Sequence, residues 1–507
     1  MSPCQKACCG QLNVQRHRCV HTSVAIEAAQ LGVSVNLLTQ FLKRIFSSSR
    51  RQLTYGNFMM SSHPFTAVVL AAGQGTRMKS SIPKVLHRVG HLPLIHHVDN
   101  LLKAVGCKES ILVTAPHMDT LRQELPHFKH AFQDSPLGTG HAVLSAKDFL
   151  QEGKDVLVLY GDTPLITPPT ILAMLEAKRE KGVEIVVLGM TIPPFLSHNA
   201  HYGRLVQDAD GFIDRIVEYK DATPDEKAIT LCNSGVMLIA GQHILSLLEA
   251  IQNNNEKKEF YLTDIVKIGT SRGLKTIAID ISAEELMGIN SPQDLSMAES
   301  IFQARQRKKF LDQGVRMQDP SSIYFAYDTL LQEDVLIEPY VFFGPQVIVE
   351  RGAHIKAFSY LEGCHVKEAC TIGPFARLRP QTVIEKKAKI GNFVEIKNAT
   401  IGEASKISHL SYVGDAFLGS RVNIGAGTIT CNYDGYKKHK TTIQNDVFIG
   451  SNTSLVAPLT IGEGALIGAG TTVTKDVGKD ALTVSRTPQT HIKEGAVKFR
   501  SRYQPKS

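Results

Sequence analysis

Residues 384–413 read IEKKAKIGNFVEIKNATIGEASKISHLSYV, and their pattern indicates the fold of the C-terminal half of the chain. An Ile or Val stands at every sixth position, with one five-residue step between Ile396 and Ile401. A six-residue apolar period is typical of a parallel β-helix, in which each apolar side chain points inward and stacks on its counterpart one coil away. Three such hexapeptides make a coil of about 18 residues that buries one apolar position on each face.

The same period extends to both sides of this stretch, from about residue 335 to residue 473. Between Thr430 and Thr442 the period is lost, which predicts a loop expelled from the coil, and such irregular positions often carry function. We therefore expect residues 319–507 to form a left-handed parallel β-helix with a C-terminal tail. The further recurring residues are Ile337, Phe343, Val349, Ile355, Leu361, Ile372, Leu378, Ile443, Ile449, Leu455, Ile461, Ile467 and Val473.

The N-terminal half has a different pattern, in which strand-like and helix-like segments alternate. Phe65–Leu70, Asp155–Tyr160, Val183–Met190 and Val236–Ile239 read as buried strands, and Thr170–Lys181 reads as a helix. This alternation predicts an α/β domain over residues 64–290, with a Rossmann-like mixed sheet that is mainly parallel and helices on both faces. Ligands of such sheets bind beyond the carboxyl ends of the strands. Residues 291–318 are expected to form a helical linker, which starts at Ser291-Pro292.

The composition limits the classes of function. The chain has 507 residues and a net charge of +8, of which residues 1–60 supply +6 through seven Lys or Arg and one Glu. The nearly neutral remainder gives little electrostatic support for nucleic-acid binding. No stretch approaches the roughly 20 apolar residues of a membrane helix, so a cytoplasmic protein without a membrane span is expected.

The first 63 residues differ from all that follows. They are basic, poor in acidic residues and contain Cys4, Cys8, Cys9 and Cys19. An organelle transit peptide has such a composition, but we favour an in-frame stretch upstream of a start at Met59 or Met60. The cysteine spacing fits no zinc pattern, and free thiols in a reducing compartment are expected.

A glycine-rich turn follows the first strand. In Leu70-Ala-Ala-Gly-Gln-Gly-Thr-Arg-Met78 the glycines let backbone N–H groups approach a phosphate chain, and Arg77 can neutralise its charge. Lys84, in Ile82-Pro-Lys-Val-Leu86, supplies a second cation. The combination resembles the sugar-phosphate nucleotidyltransferase family. It is not a P-loop, because no Gly-Lys-Ser/Thr follows.

This resemblance implies a site for UTP and Mg²⁺. Gln133 and Leu137-Gly-Thr-Gly-His-Ala142 resemble the segment that reads the uracil base, while Asp162 and Asn290 match the metal ligands. Arg77 and Lys84 are the implied catalytic cations, because uridylyl transfer requires alignment and neutralisation of charge rather than a protein nucleophile. The implied ligands of UTP and the sugar nucleotide are Leu70, Ala71, Ala72, Gly73, Lys84, Gln133, Gly138, Thr139, Tyr160, Gly161, Asp162, Gly203, Glu218, Asn233 and Asn290.

Three segments of the repeat region carry a more specific resemblance. Gly391–Lys397, Ser408–Asp415 and Asn423–Gly435 are similar to the family of bifunctional N-acetylglucosamine-1-phosphate uridyltransferases/glucosamine-1-phosphate acetyltransferases, and the similarity runs from Phe65 to Lys498. It implies acetyl transfer from acetyl-CoA to glucosamine 1-phosphate, followed by uridylyl transfer from UTP to N-acetylglucosamine 1-phosphate. The product would supply peptidoglycan and lipopolysaccharide synthesis, and the family forms homotrimers.

The resemblance also implies the residues of acetyl transfer. His409 would be the general base, since an imidazole titrates near neutrality, and Glu395 would orient it. Three cations, Arg379, Lys397 and Lys438, would contact the sugar phosphate. The implied ligands of glucosamine 1-phosphate and acetyl-CoA are Arg379, Lys397, Tyr412, Asn423, Ala426, Asn432, Tyr433, Lys438, Ser451, Ala469 and Arg486.

Two other functions remain open from the sequence. One is a monofunctional nucleotidyltransferase that makes another nucleotide sugar and uses the β-helix only as a trimerising scaffold. The other is a zinc enzyme related to γ-class carbonic anhydrase, with ligands drawn from His354, His365, His409 and His439. The chain also departs from the bifunctional family at Ile192–His201, which looks longer than expected, and at Ser234, where Thr is common.

Overall fold

The computed structural model describes residues 64–73, 75–192, 202–485 and 488–503. The predictions for residues 1–63 and for most of the segment from Ile192 to His201 lie outside these residues. None of the described helices is both long and apolar enough to cross a membrane. An α/β domain, a connector helix and a repeat domain follow one another along the described chain.

A mixed sheet forms the centre of the α/β domain. Its strands are β1 (Phe65–Leu70), β4 (Glu109–Thr114), β5 (Lys129–Phe132), β6 (Asp155–Tyr160), β7 (Ile185–Thr191), β8 (Arg204–Gln207), β9 (Ile213–Val217), β10 (Leu231–Ile239) and β11 (Thr276–Asp280), with β2 (Arg88–Val89) and β3 (Leu92–Pro93) as a separate hairpin. The order β11-β7-β10-β6-β1-β4-β5 places β1 between two parallel neighbours. β10 runs antiparallel to β6 and β7, so the sheet is mixed, as predicted.

Helices cover both faces of this sheet. Alternate residues of β1 belong to different cores, since Ala67 and Val69 pack in one cluster and Val68 and Leu70 in the other. Burial on both faces explains why this strand is a continuous apolar run. The helices are Leu94–Ala104, Asp119–Glu124, Thr139–Leu144, Pro168–Lys181, Pro224–Ala228, Gly241–Glu249 and Asp264–Ser271, with short 3₁₀ turns at Thr76–Met78, Lys84–Leu86 and Lys147–Phe149.

The connector helix, Pro292–Asp312, joins the two domains and begins where the sequence predicts. Ser291 accepts a hydrogen bond from the backbone of Asp294, whose carboxylate accepts one from the backbone of Ser291. The helix ends before residue 318, because Gly314 adopts a φ of 87° and the backbone N–H of Val315 bonds back to Phe310. The repeat domain therefore starts at β12 (Arg316–Met317), three residues before the predicted boundary at residue 319.

The connector helix has buried side chains at its middle and near its C-terminal end. Phe302 packs with Val89 and Leu94 of the α/β domain. Phe310 belongs instead to the core of the repeat domain. One helix thus carries apolar side chains into both cores.

The repeat domain is a parallel β-helix with three ladders of short strands. One sheet is β12-β14-β17-β20-β23-β25-β27-β30-β33-β35, and the other two ladders join through β24 and β26, each of which continues across a corner. Every pairing in these ladders is parallel. The strands after β12 are β13 (Leu330–Leu331), β14 (Leu336–Ile337), β15 (Phe342–Phe343), β16 (Ile348–Val349), β17 (His354–Ile355), β18 (Tyr360–Leu361), β19 (Cys364–Val366), β20 (Thr371–Ile372), β21 (Arg377–Leu378), β22 (Thr382–Ile384), β23 (Lys389–Asn392), β24 (Glu395–Ile401), β25 (Lys406–His409), β26 (Tyr412–Leu418), β27 (Asn423–Ile424), β28 (Ile429–Cys431), β29 (Thr441–Ile443), β30 (Phe448–Ile449), β31 (Ser454–Val456), β32 (Leu459–Ile461), β33 (Leu466–Ile467), β34 (Thr472–Val473) and β35 (Leu482–Thr483), and a helix, Gly495–Ser501, follows.

The six-residue period is the inner wall of this β-helix. Every recurring residue named from the sequence, from Ile337 to Val473, is at most 2% exposed. Full burial of one such side chain contributes roughly 1.5–3 kcal/mol. Where the period is lost, β28 ends at Cys431 and β29 begins at Thr441, and Tyr436 between them is 93% exposed. The predicted expelled loop is confirmed.

We expect Ile355→Ala to lower the free energy of unfolding by about 2–5 kcal/mol, because it leaves a cavity in the packed column. Ile348→Ala is the matched control, since the same side chain there is 38% exposed. Denaturant unfolding of the two variants, followed by circular dichroism, measures the difference. Equal losses would contradict the inward stacking.

Candidate functional site

The glycine-rich turn opens into a cavity at the carboxyl end of β1. This cavity has a volume of about 250 Å³ and collects segments that are far apart in the sequence. It is lined by the predicted ligands Leu70, Ala71, Ala72, Gly73, Lys84, Gln133, Gly138, Thr139, Tyr160 and Asp162, together with Val85, Pro136, Ala142 and Glu259. A Cβ added at Gly73 would meet nothing within 4 Å, so the backbone there is open to a ligand.

A tight contact between two loops shapes one wall of the cavity. Gly138 has a φ of 114°, and a Cβ there would lie 2.5 Å from the carbonyl oxygen of Phe260. Phe260 and Leu137 are joined by a backbone hydrogen bond of 2.7 Å. Gln133 donates from Nε2 to the carbonyl of Gly138 at 3.0 Å. Only glycine allows this approach, which also brings Glu259 to the cavity.

Lys84 and the two predicted metal ligands meet at one end of the cavity. The Lys84 ammonium donates to the Asp162 carboxylate and, at 3.1 Å, to the Asn290 side-chain oxygen. Asp162 and Asn290 are adjacent because the backbone N–H of Ile289 bonds to the Asp162 carbonyl at 2.9 Å. The other predicted cation, Arg77, is exposed on the 3₁₀ turn beside the glycine-rich segment. Because the Asp162 and Asn290 side-chain oxygens converge on the Lys84 ammonium, the same two oxygens can also bind a metal cation.

The residues predicted for the amino sugar form a second group that does not line the cavity. The backbone N–H of Asn233 bonds to the Gly203 carbonyl at 2.8 Å, and Gly203 lies against Glu218. Burial raises the pKa of Glu218, although a hydrogen bond from Thr263 at 3.2 Å opposes the shift. Thr263 lacked a sequence signal, since only the tertiary fold brings it to Glu218.

Tyr160 connects the two groups. Burial raises the pKa of its phenol, and the negative charges of Asp162 and Glu218 add to the shift. A Cβ at Gly235 would lie 2.7 Å from the Tyr160 ring, so the glycine makes room for it. Gly161 and Asn290 are also outside the lining: Gly161 backs the cavity through a 3.0 Å hydrogen bond to the Leu70 carbonyl, and Asn290 accepts from Lys84, which lines it. The residues predicted for the nucleotide and for the sugar are therefore contiguous in the structure.

In the repeat domain, four of the predicted acetyl-transfer residues, including His409, follow one column of the β-helix. Asn392 pairs directly with His409 on the next coil. Beyond the paired strands, the backbone N–H groups of Gly427, Asn452 and Gly470 bond to the carbonyls of Leu410, Ala426 and Ser451 on the preceding coils. His409 is thus followed by Ala426, Ser451 and Ala469, one on each coil. Asn423 lies three residues before Ala426 on the same coil.

His409 is exposed, and its hydrogen-bond partner is a residue that sequence reasoning missed. The distance between His409 Nδ1 and Asn392 Oδ1 is 2.6 Å. Glu395, which was predicted to orient His409, instead accepts a hydrogen bond from Arg379 at 2.8 Å. Its neighbour on the next coil is Tyr412. The 17-residue offset between Asn392 and His409 could have suggested the pairing, but only with the coil length known at this point of the repeat.

The three predicted cations lie together on a neighbouring column. Arg379 and Lys397 occupy paired positions on adjacent coils, and the Lys438 ammonium lies beside that of Lys397. This neighbour, with a smaller effect from Arg379, lowers the pKa of Lys397. Like charges held this close indicate a site for an anion. The expelled loop that carries Lys438 therefore folds against its own chain.

The other predicted residues of the expelled loop differ in exposure. Asn432 is buried and donates to the carboxylate of Asp415, whereas Tyr433 is 61% exposed. Asp434 and His439 are hydrogen-bonded at 2.6 Å across the base of the loop. Arg486, predicted to contact coenzyme A, lies outside the described residues.

A zinc site is not found in the described part of the chain. No group of three or more His, Cys, Asp or Glu side chains there is arranged to hold a metal ion. The four candidate histidines have separate partners: His354 bonds Glu338, His365 bonds Glu350, His409 bonds Asn392 and His439 bonds Asp434. The carbonic-anhydrase hypothesis thus has no structural basis among these residues.

Comparison with known proteins identifies both domains. A family model described as the MobA-like NTP transferase domain matches residues 67–260, and one described as bacterial transferase hexapeptide (six repeats) matches residues 440–475. The bifunctional protein GlmU of Paramagnetospirillum magneticum is 46% identical over 444 residues, which cover 87% of this chain and 98% of that protein. The bifunctional protein GlmU of Roseobacter denitrificans is 49% identical over 428 residues, or 83% of this chain and 93% of that protein. The chain therefore belongs to the family of bifunctional GlmU proteins, in which a nucleotidyltransferase domain is followed by a hexapeptide-repeat transferase domain.

Proposed function

We propose that this protein makes UDP-N-acetylglucosamine in two steps, one in each domain. The repeat domain transfers the acetyl group of acetyl-CoA to glucosamine 1-phosphate. The α/β domain then joins N-acetylglucosamine 1-phosphate to the uridylyl group of UTP and releases pyrophosphate. The observation that carries the proposal is the grouping of Arg379, Lys397 and Lys438 beside the His409 column, because a mere scaffold needs no such cluster.

In uridylyl transfer, a phosphate oxygen of the sugar attacks the α-phosphorus of UTP, and the bond to pyrophosphate breaks. The open backbone at Gly73 accommodates the phosphate chain, and Lys84 and Arg77 neutralise its charge. Gln133 and the Gly138 turn hold the base, while Glu218 and Asn233 hold the amino sugar. The chain contributes alignment and fixed charge and no covalent intermediate.

The oxygens of Asp162 and Asn290 fit a divalent cation, since both reach the Lys84 ammonium and so converge on one point. Protein oxygens completed by substrate phosphates are the usual ligands of Mg²⁺. When bound there, Mg²⁺ would further neutralise the phosphate charge. We propose that these two residues are its protein ligands.

In acetyl transfer, the amine of glucosamine 1-phosphate attacks the thioester carbonyl. A C–N bond forms, the C–S bond breaks, and the amine proton passes to His409 while coenzyme A leaves as the thiolate and takes up a proton. The sugar phosphate binds Arg379, Lys397 and Lys438, with Tyr412, Asn423, Asn432 and Tyr433 around the sugar and the acetyl group. Ala426, Ser451 and Ala469 continue the His409 column, along which coenzyme A would lie.

We further propose that the chain works as a homotrimer in the cytoplasm. A column of stacked aromatic rings along one corner of the β-helix supports the assembly. Tyr340, Phe358, Phe375 and Phe393 have successive centroid distances of 5.1, 4.8 and 5.1 Å and are each 45–55% exposed. Leu410, which is 60% exposed, continues the column beside His409. Exposed apolar surface of this kind marks an interaction site, and a second copy seated on it would border the acetyl-transfer residues.

The whole proposal is tested by supplying glucosamine 1-phosphate, acetyl-CoA, UTP and Mg²⁺ and identifying the products by mass spectrometry. We expect N-acetylglucosamine 1-phosphate and then UDP-N-acetylglucosamine. A product made only from supplied N-acetylglucosamine 1-phosphate would indicate the monofunctional alternative.

We expect Asp162→Ala and Asn290→Ala to abolish uridylyl transfer at limiting Mg²⁺ and to leave acetyl transfer intact. The reason is that each removes one of the two converging oxygens. Pyrophosphate release and coenzyme A release measure the two reactions on one preparation. Full uridylyl transfer by either variant would disprove the metal assignment.

His409→Ala should reduce acetyl transfer by about 10²-fold or more, the usual contribution of a general base. Uridylyl transfer from supplied N-acetylglucosamine 1-phosphate should persist, which controls for folding. Near-normal acetyl transfer would show that His409 is structural.

The trimer is tested by mixing two inactive full-length variants, His409→Ala and Arg486→Ala. If Arg486 acts across a subunit boundary, co-refolded mixed trimers should regain part of the acetyl transfer, whereas each variant refolded alone should not. Size-exclusion chromatography with light scattering measures the assembly. An active monomer, or no recovery in verified mixed trimers, would refute the shared site.

A further inference from the structure

Asn392 is the side chain that contacts the proposed general base, although the sequence analysis assigned it no role. The two residues are register partners in the parallel pair β23–β25. The Asn392 side-chain oxygen lies 2.6 Å from His409 Nδ1. The backbone is also fixed there, because the N–H of Leu410 bonds to the Asn392 carbonyl at 3.0 Å. Asn392 is half-buried, so its amide is held against the coil.

This contact determines where the imidazole carries its proton. A carbonyl oxygen only accepts hydrogen bonds, so Nδ1 must be the protonated nitrogen of neutral His409. Nε2 then keeps its lone pair, and it has no hydrogen-bond partner among the described residues. On the following coil the backbone N–H of Gly427 bonds to the Leu410 carbonyl, so the neighbour of His409 there is Ala426, which has no hydrogen-bonding side chain. Nε2 is thus the nitrogen available to a substrate.

The expected orienting residue is occupied elsewhere. The Glu395 carboxylate pairs with Arg379 at 2.8 Å, within the cation cluster proposed for the sugar phosphate. A neutral amide is also the better partner for a base that begins uncharged, because a carboxylate would favour the protonated ring before the substrate arrives. The observed contact and the neutral amide both favour Asn392, rather than Glu395, as the residue that orients His409.

We propose that Asn392 is a positioning residue for acetyl transfer, which fixes the Nδ1–H tautomer of His409 and frees Nε2 to accept the amine proton. This inference rests on the proposed acetyltransferase function. Asn392 acts through His409 and contacts neither substrate nor coenzyme A in the proposal.

The test compares full-length Asn392→Leu, which keeps the size but removes the oxygen, with Asn392→Asp, which restores an acceptor. We expect Asn392→Leu to lower kcat for acetyl transfer by about tenfold or more, the rate equivalent of one hydrogen bond, without a change in KM. Asn392→Asp should recover only part of this loss, because it restores the acceptor for Nδ1 while its negative charge favours the protonated ring. Uridylyl transfer should be unchanged in both variants, which controls for folding.

A spectroscopic readout separates this role from a structural one. In protein labelled with ¹⁵N-histidine, the resonances missing from His409→Ala identify His409, and their shifts report which nitrogen is protonated. We expect Nδ1–H in the parent and in Asn392→Asp, and loss of that preference in Asn392→Leu. Gln332→Leu is the matched control. The Gln332 side-chain oxygen accepts a hydrogen bond of 3.0 Å from the backbone N–H of Arg351 on the next coil. Loss of this bond should alter neither readout.

The possible failures are distinguishable. If the parent protein transfers no acetyl group, the proposed function is wrong. If the parent is active and Asn392→Leu retains its kcat, or if His409 is protonated at Nε2 in the parent, the role of Asn392 is refuted while the function stands.

Discussion

Stacking of one coil on the next is the constraint on which the C-terminal half depends. Each coil must place its apolar side chains above those of the coil below, and parallel backbone pairing fixes that register. The interior residues from Ile337 to Val473 satisfy the requirement almost without exposure. Because a closely packed protein interior tolerates little displacement of its side chains, the coils cannot slip relative to one another. The side chains on the outer surface of the β-helix therefore stand in the same register as those inside.

Functional columns on the outside follow from that register. Residues one coil apart stand side by side whether they face inward or outward, so Asn392 lies beside His409 and Arg379 beside Lys397. The distance between such neighbours is set by the spacing of paired strands, roughly 5 Å. A repeat that exists to bury Ile and Val therefore also holds polar groups at hydrogen-bonding range. Lys438 lies outside the coils, in the expelled loop, and that loop brings its side chain to Lys397.

The α/β domain also brings together residues that are distant in the sequence, but it does so through a different topology. Parallel strands end at one edge of the sheet, and the turns after β1 and β6 deliver Gly73 and Asp162 to one cavity. The chain returns to this edge just before the connector helix, where Asn290 joins Lys84. That helix then inserts Phe302 into one domain and Phe310 into the other. The helix thus links the end of the cavity at Asn290 to the start of the β-helix.

Features that depend on neighbours in the chain could be predicted from the amino-acid sequence. The six-residue period predicted the β-helix, its interior and the expelled loop, and the capping residues predicted the start of the connector helix, because these signals are local. The helix end was misplaced, since the left-handed conformation of Gly314 was not anticipated. Only the tertiary structure brought Lys84 to Asp162 and Asn290, which are 78 and 206 residues away in the sequence. It also placed Glu395 in contact with Arg379 and His409 in contact with Asn392. Hydrogen bonds between side chains depend on coil register and on competition among nearby partners, and neither is written in a local pattern.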